Sequence, residues 1–179
     1  MHEWHTSTSR NPLRLINEFI GFEHSVDEGY ATVEDVKVTN KIFSTKEEAI
    51  NFVCKQSYYG DAAYLAAYTT KKLSKGFRNA FDNFLAKDKE YRDFRNGLTI
   101  AYGRTASKVT CPECGSSINL KYGRWFKACP VCGSKKIISD SNWKTLETKK
   151  RMREKAAENV AKEAEKNDVM FLCGIEWHC

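Results

Sequence analysis

The chain has 179 residues, a formal net charge of +6, 41% hydrophobic residues and seven cysteines. No apolar run approaches the ~20 residues of a membrane-spanning helix, and the first residues, His2-Glu3-Trp4-His5, lack the basic-then-apolar order of a secretory leader. With no such leader, an odd cysteine count argues against a disulfide scaffold and for a reducing, cytoplasmic setting.

The charge is unevenly spread. Residues 1–70 carry 6 Lys/Arg against 10 Asp/Glu, residues 71–155 carry 21 against 8, and residues 156–179 carry 2 against 5. A middle segment at net +13 suits a polyanion or an acidic protein surface as partner. Two solvated lysine-rich helices would give the same count.

In chain order, residues 2–8 read as a short strand. Asn11 is placed as a helix N-cap with Pro12 at the first helical position, and Leu13, Ile16, Phe19 and Ile20 follow at helical spacing up to Gly21. Asp27-Glu28-Gly29 reads as a turn. Val33, Val36, Val38, Ile42 and Phe43 then read as β structure, broken near Thr39-Asn40. Ser44 and Thr45, with Glu47 and Glu48 three positions on, form a capping-box signature for a helix that buries Ala49, Phe52 and Val53. Tyr58-Tyr59-Gly60-Asp61 would end that helix, and Ala62 to Tyr68 reads as a strand. Residues 1–70 are thus expected to form an α+β unit.

From about Ser74 to Asn96, Phe77, Phe81, Phe84, Leu85, Tyr91 and Phe94 form an apolar stripe at helical spacing, with Asn96-Gly97 as the expected stop. Leu98 to Tyr102 reads as a short strand. A second long helix is expected from Ser141 to about Lys166. Its stripe starts with Trp143 and Leu146 and continues through Ala157, Val160 and Ala164. Along it lies the densest basic run of the chain, Lys149, Lys150, Arg151, Arg153 and Lys155. At the end, Val169, Phe171, Cys173, Ile175 and Trp177 alternate as one apolar face of a strand, which needs the sheet of the first unit to join.

The chemistry lies between the two helices. Cys111-Pro112-Glu113-Cys114-Gly115 is repeated as Cys129-Pro130-Val131-Cys132-Gly133, with fourteen residues separating Cys114 from Cys129. Each Cys-x-x-Cys sets two thiolates on one tight turn, and the following glycine supplies positive φ. Two such turns facing each other make the tetrahedral sulfur cage that Zn²⁺ prefers. A redox Cys-x-x-Cys would need no second copy. Four thiolates leave no open coordination position, so the predicted role is one structural Zn²⁺ and not metal catalysis.

These two Cys-Pro-x-Cys-Gly knuckles resemble the zinc-ribbon family over about residues 108–138, and more loosely the small phage or prophage proteins in which a ribbon sits between charged helices. The resemblance implies zinc and a β-hairpin fold, and a bacterial or phage-infected host cell. The chain as a whole then reads as α+β: a small mixed sheet with helices over 1–70, completed by a strand at 169–179. Inserted into it are a basic, aromatic helical arm (71–107), the ribbon (108–138) and a long charged helix (139–168).

Within the ribbon, Ile118, Leu120 and Tyr122 lead to a turn at Gly123. Arg124, Trp125, Phe126 and Lys127 lead out of it. Cations beside aromatic rings are the composition of single-strand nucleic-acid binders, while strand alternation gives one ring to the ribbon core. His2, His5, His178 and Cys179 offer a second set of metal donors if the termini meet, although alternation sends His2 and His5 to opposite faces.

No phosphate-cradling loop, nucleophile elbow or carboxylate cluster with metal spacing is present, so a non-enzymatic role is expected. Two functions fit. In one, Lys149, Lys150, Arg151 and Arg153 neutralise the phosphates of DNA or RNA while Arg124, Trp125 and Lys127 touch bases or backbone. In the other, the chain is an interaction module or inhibitor, of the anti-defence or anti-CRISPR type, docking on a host nucleic-acid-processing enzyme. The aromatic helical stripe also leaves room for a homodimer.

Overall fold

The computed structural model describes residues 2–26, 29–33, 35–56, 62–101, 108–111, 114–119, 129–133 and 140–178. Two compact units emerge, one of residues 1–85 with 154–179 and one of residues 86–153.

The first unit is built on a four-stranded mixed sheet in the order β1 (His2–Ser9), β8 (Met170–His178), β5 (Ala62–Tyr68), β4 (Asp35–Phe43). The C-terminal strand therefore occupies a central place, antiparallel to both β1 and β5. β4 and β5 run parallel, joined by a crossover through α2 (Lys46–Gln56). The break read at Thr39-Asn40 is a register shift between Val38 and Ile42.

The caps form as the sequence implies. Asn11 Oδ1 accepts hydrogen bonds from the backbone N–H of Leu13 at 3.0 Å and of Arg14 at 3.4 Å, starting α1 (Pro12–Phe19). Thr45 Oγ1 accepts from Glu48 N–H at 3.2 Å, and the Glu48 carboxylate reaches back to Ser44 N–H at 3.4 Å.

Both faces of the sheet are covered. On one, Leu15, Ile16 and Phe19 of α1 join Leu65, Phe171, Cys173 and Ile175 of the strands. The same core takes Phe77, Phe81 and Phe84 from the first turns of α3 (Lys75–Ala101), and Ala157, Val160 and Ala164 from the last turns of α4 (Asp140–Asn167). On the other face α2 packs Ala49, Val53 and Cys54 against Ala66 and Leu172. Phe52, expected in the buried stripe, is half-buried at the margin of that cluster, its place taken by Cys54. Because β8 is central, Leu172 is buried on the second face, which reading one apolar face had not foreseen.

A hairpin of β2 (Glu23–Val26) and β3 (Gly29–Thr32) flanks the turn expected at residues 27–29, with Val26 paired to Gly29. The end of the first long helix departs from its expectation. α3 does not stop at Asn96-Gly97 but runs to Ala101, so the strand expected over 98–102 is helical through 101. A glycine within a helix costs only about 1 kcal/mol, and the flanking Leu98 and Ile100 continue the turn. Phe77, Phe81 and Phe84 of the aromatic stripe are packed inside the chain, one of the two arrangements the sequence leaves open. Tyr58 to Asp61, the expected end of α2, lies outside the described residues, apart from which α2 is described to Gln56. Among the described residues no helix is long and apolar enough to cross a membrane.

Candidate metal centre

The second unit contains the short hairpin of β6 (Lys108–Thr110) and β7 (Ser117–Asn119), paired antiparallel with Val109 opposite Ile118. The hairpin closes on the first knuckle, where Cys111 N–H donates to Ser116 O at 2.9 Å. Gly115 N–H then donates to Cys111 O at 3.0 Å, and in the second knuckle Gly133 N–H donates to Cys129 O at 2.8 Å. Gly115 and Gly133 sit at φ +70° and +75°, and a Cβ built on either meets nothing within 4 Å. Backbone conformation alone, not crowding, selects glycine at both.

The two turns bring four sulfurs together. Cys111 Sγ lies 3.7 Å from Cys132 Sγ, and Cys114 Sγ lies 3.8 Å from Cys129 Sγ. All four ligand atoms fall within 4.8 Å of one another. A tetrahedron with metal–sulfur bonds of ~2.3 Å has edges of about 3.8 Å. The tetrad fits one metal ion with an all-sulfur, zinc-ribbon-like ligand set.

Local hydrogen bonds prepare the thiolates. Ser116, through its hydroxyl at 3.2 Å and its backbone, pulls the Cys114 thiol down to about 6. Cys129 Sγ accepts from Cys132 N–H at 3.5 Å and Val131 N–H at 3.4 Å, and the Cys132 bond does most to lower its pKa against the opposing effect of burial. Thiolates held in this way bind a metal with less proton release. Cys111 and Cys129 are buried while Cys114 and Cys132 are exposed, so the cage has a closed and an open side. Outside the tetrad, Cys54 and Cys173 are buried, and burial drives the Cys173 thiol upward, as expected of cysteine acting as a small hydrophobe.

The basic run divides. Lys150 and Arg151 are exposed on α4. Lys149 is half-buried, its ammonium 5.8 Å from the centre of the Phe94 ring. Arg153 is not a surface cation: it is 7% exposed, donates from Nη1 to Asp88 Oδ1 at 3.1 Å, and lies 4.0 Å over the Tyr91 ring. Asp88, 6% exposed, also receives Arg92 Nε at 2.9 Å. Arg153 therefore belongs to a buried ion pair within the second unit and presents no free charge to phosphate. Sequence reading missed the pair, yet a signal was there. Asp88 falls in step with Phe77, Phe81, Phe84 and Tyr91, and Arg153 with Leu146, Ala157 and Val160, so each occupies a stripe position.

Arg124, Trp125 and Lys127 lie outside the described residues. The termini do meet, with His2 opposite His178 in the β1–β8 ladder. His5 is spent elsewhere, its ring stacked on Phe22 at 4.4 Å and tilted against Phe19 at 5.3 Å. Cys179 lies outside the described residues, as do the side chains of His2 and His178.

Among known proteins, no family model, no curated protein and no solved structure matches this chain.

Proposed function

We propose that the cysteine tetrad holds one structural Zn²⁺ in a zinc ribbon, and that the protein is a non-enzymatic binder of nucleic acid. Zinc is the natural occupant, since it takes four thiolates without a geometric preference of its own and without redox chemistry. The observation that carries the nucleic-acid reading is the exposure of Lys150 and Arg151 on the same segment that holds the +13 charge. Exposed, unburied cations retain the mobility that phosphate contact requires, and their contribution is electrostatic with little sequence preference. Lys149 flanks them with its stem on Phe94. Arg124, Trp125 and Lys127 of the ribbon belong to the same reading as a second contact.

The test is binding of the zinc-loaded protein to labelled duplex DNA, single-stranded DNA and RNA across a salt series. Affinity should fall steeply with salt, and Lys150→Glu with Arg151→Glu should reduce the salt slope by about 2. Arg153→Glu should instead unfold the second unit. Absence of binding at low salt would send the same basic surface to an acidic protein partner, whose copurification should then survive nuclease treatment.

A further inference from the structure

Within the first unit a cavity of about 450 Å³ opens where the end of β1, the start of α1 and the last turns of α4 meet. That volume falls within the roughly 300–1,000 Å³ of small-molecule sites. Three cations, Arg10, Arg14 and Lys162, line it against one carboxylate, Glu165. The partner of Arg10, Asp168, is shared with Lys71, so the surplus of two positive charges is not cancelled from behind the wall. It stands among stretches that are otherwise acidic, with 6 Lys/Arg against 10 Asp/Glu over residues 1–70 and 2 against 5 over 156–179.

The bonds already made decide what the walls still offer. Asn11 Oδ1 is occupied by the N–H groups of Leu13 and Arg14, which leaves the amide Nδ2 donors of Asn11 free. Ser9 Oγ accepts from Asn11 N–H at 3.0 Å, so its own proton remains to be donated. Arg10 is fixed in place by Ala164 O, Val169 O and Asp168. The side chains of Arg14 and Lys162 have no hydrogen-bond or ion-pair partner among the described residues. The start of α1 adds little by itself, since Asn11 caps it and Pro12 has no N–H. What is left over is donors and positive charge.

We propose that this cavity binds a phosphate monoester that carries a small organic group. A phosphate monoester offers oxygen acceptors and close to two negative charges at pH 7, which matches both the free donors and the charge surplus. A single carboxylate would meet only half of that surplus. Arg14 supplies the planar fork that suits phosphate oxygens, and Lys162 adds a point charge from α4. Ser9 and Asn11 donate to the remaining oxygens. Ala161 and Met170 give the cavity an apolar wall for the organic part. A free nucleotide and the 5′-phosphate end of an oligonucleotide present the same group. The site belongs to the first unit and does not rest on the reading of Lys150 and Arg151.

NMR titration of the full, zinc-loaded chain at constant ionic strength tests this. The probes are inorganic phosphate, a nucleoside 5′-monophosphate, and matched oligonucleotides with and without a 5′-phosphate. Amide shifts should concentrate at Ser9 to Arg14 and Ala161 to Glu165. Arg14→Gln with Lys162→Gln, both at exposed positions, should weaken binding of the phosphate probes at least about tenfold. Glu165→Gln should tighten inorganic phosphate, because it removes the one carboxylate of the lining. Lys166→Gln, outside the cavity, should change nothing, and neither should Lys150→Glu with Arg151→Glu. A response to the free monophosphate assigns a small ligand, and one confined to the 5′-phosphorylated oligonucleotide assigns a chain end. No response to any phosphate probe at millimolar concentration would overturn the proposal. So would shifts that survive the Arg14 and Lys162 substitutions, or equal responses to the two oligonucleotides with none to the free phosphates.

Discussion

Arg153 and Asp88 stand where the helical period puts apolar residues, and their charges are spent on each other. Each is more than nine-tenths buried, Asp88 serves Arg92 as well, and Arg153 Nε finds no hydrogen-bond partner among the described residues. A pair of this kind contributes less than its Coulomb attraction suggests, because both ions have left water. Removing one partner is a different matter. Asp88→Ala leaves the buried Arg153 guanidinium without its carboxylate and should cost about 3–5 kcal/mol in denaturant unfolding of the second unit. Asp88→Leu combined with Arg153→Met should recover most of that loss, since the orphaned Nε disappears with the pair. Lys150→Ala should change stability by no more than about 0.5 kcal/mol. A double-mutant cycle measuring no coupling between positions 88 and 153 would contradict this account. The stripe was legible in the sequence. That a charge sat inside it was not, because a basic run looks the same whether one of its members is solvated or paired.

At the scale of elements, the junction between α4 and β8 is held by residues far away in sequence. Asp168 takes φ 54°, unusual outside glycine, and Val169 N–H donates to Ala164 O at 2.9 Å. Arg10, leaving β1, donates from Nη1 to Ala164 O at 3.1 Å and Val169 O at 2.9 Å, and from Nη2 to Asp168 at 3.1 Å. Thr69 Oγ1 adds a bond to Asp168 O at 3.0 Å, and Lys71 lies 3.6 Å from the carboxylate. The Arg10 hydrogen bond, and then the Lys71 charge, hold the Asp168 carboxyl below its usual range. A lowered folded pKa contributes stability that is present above the unfolded value of about 3.9 and is lost as pH falls through the folded one. Asp168→Asn, which tolerates the same backbone, should therefore flatten the acid limb of a Tm–pH profile between the unfolded value and the lower folded one, while leaving the helix end intact. An acid limb as steep as that of the unaltered chain would count against the clamp. The sequence placed the helix end within a residue or two, yet it gave no hint of Arg10, because the two sites are more than 150 residues apart.

At the scale of the molecule, the two units rest on different physics. The first buries Phe19, Phe77, Phe81, Phe84 and Phe171 completely and needs no metal to do so. In the second, the four cysteine sulfurs gathered beside a hairpin of two three-residue strands make a site at which metal binding is coupled to local folding. A zinc chelator should consequently unfold the ribbon, while slow-exchanging amides in β5 and β8 stay protected. Cobalt substitution should give the charge-transfer absorption of an all-thiolate tetrahedral site, lost in Cys129→Ser. Protection lost from the sheet as early as from the ribbon would show that the units are not energetically separate.

The sequence by itself determined what is local or repeated: the knuckles and their glycines, the caps at Asn11 and Thr45, the helical stripes and the apolar alternation of the last strand. Each rests on spacings of a few residues, where backbone geometry leaves little choice. Tertiary structure alone decided that β8 lies between β1 and β5 and that Arg153 turns inward to Asp88. Those outcomes depend on which distant segments compete for the same buried surface and the same hydrogen-bond partners, a competition that no short stretch of sequence records.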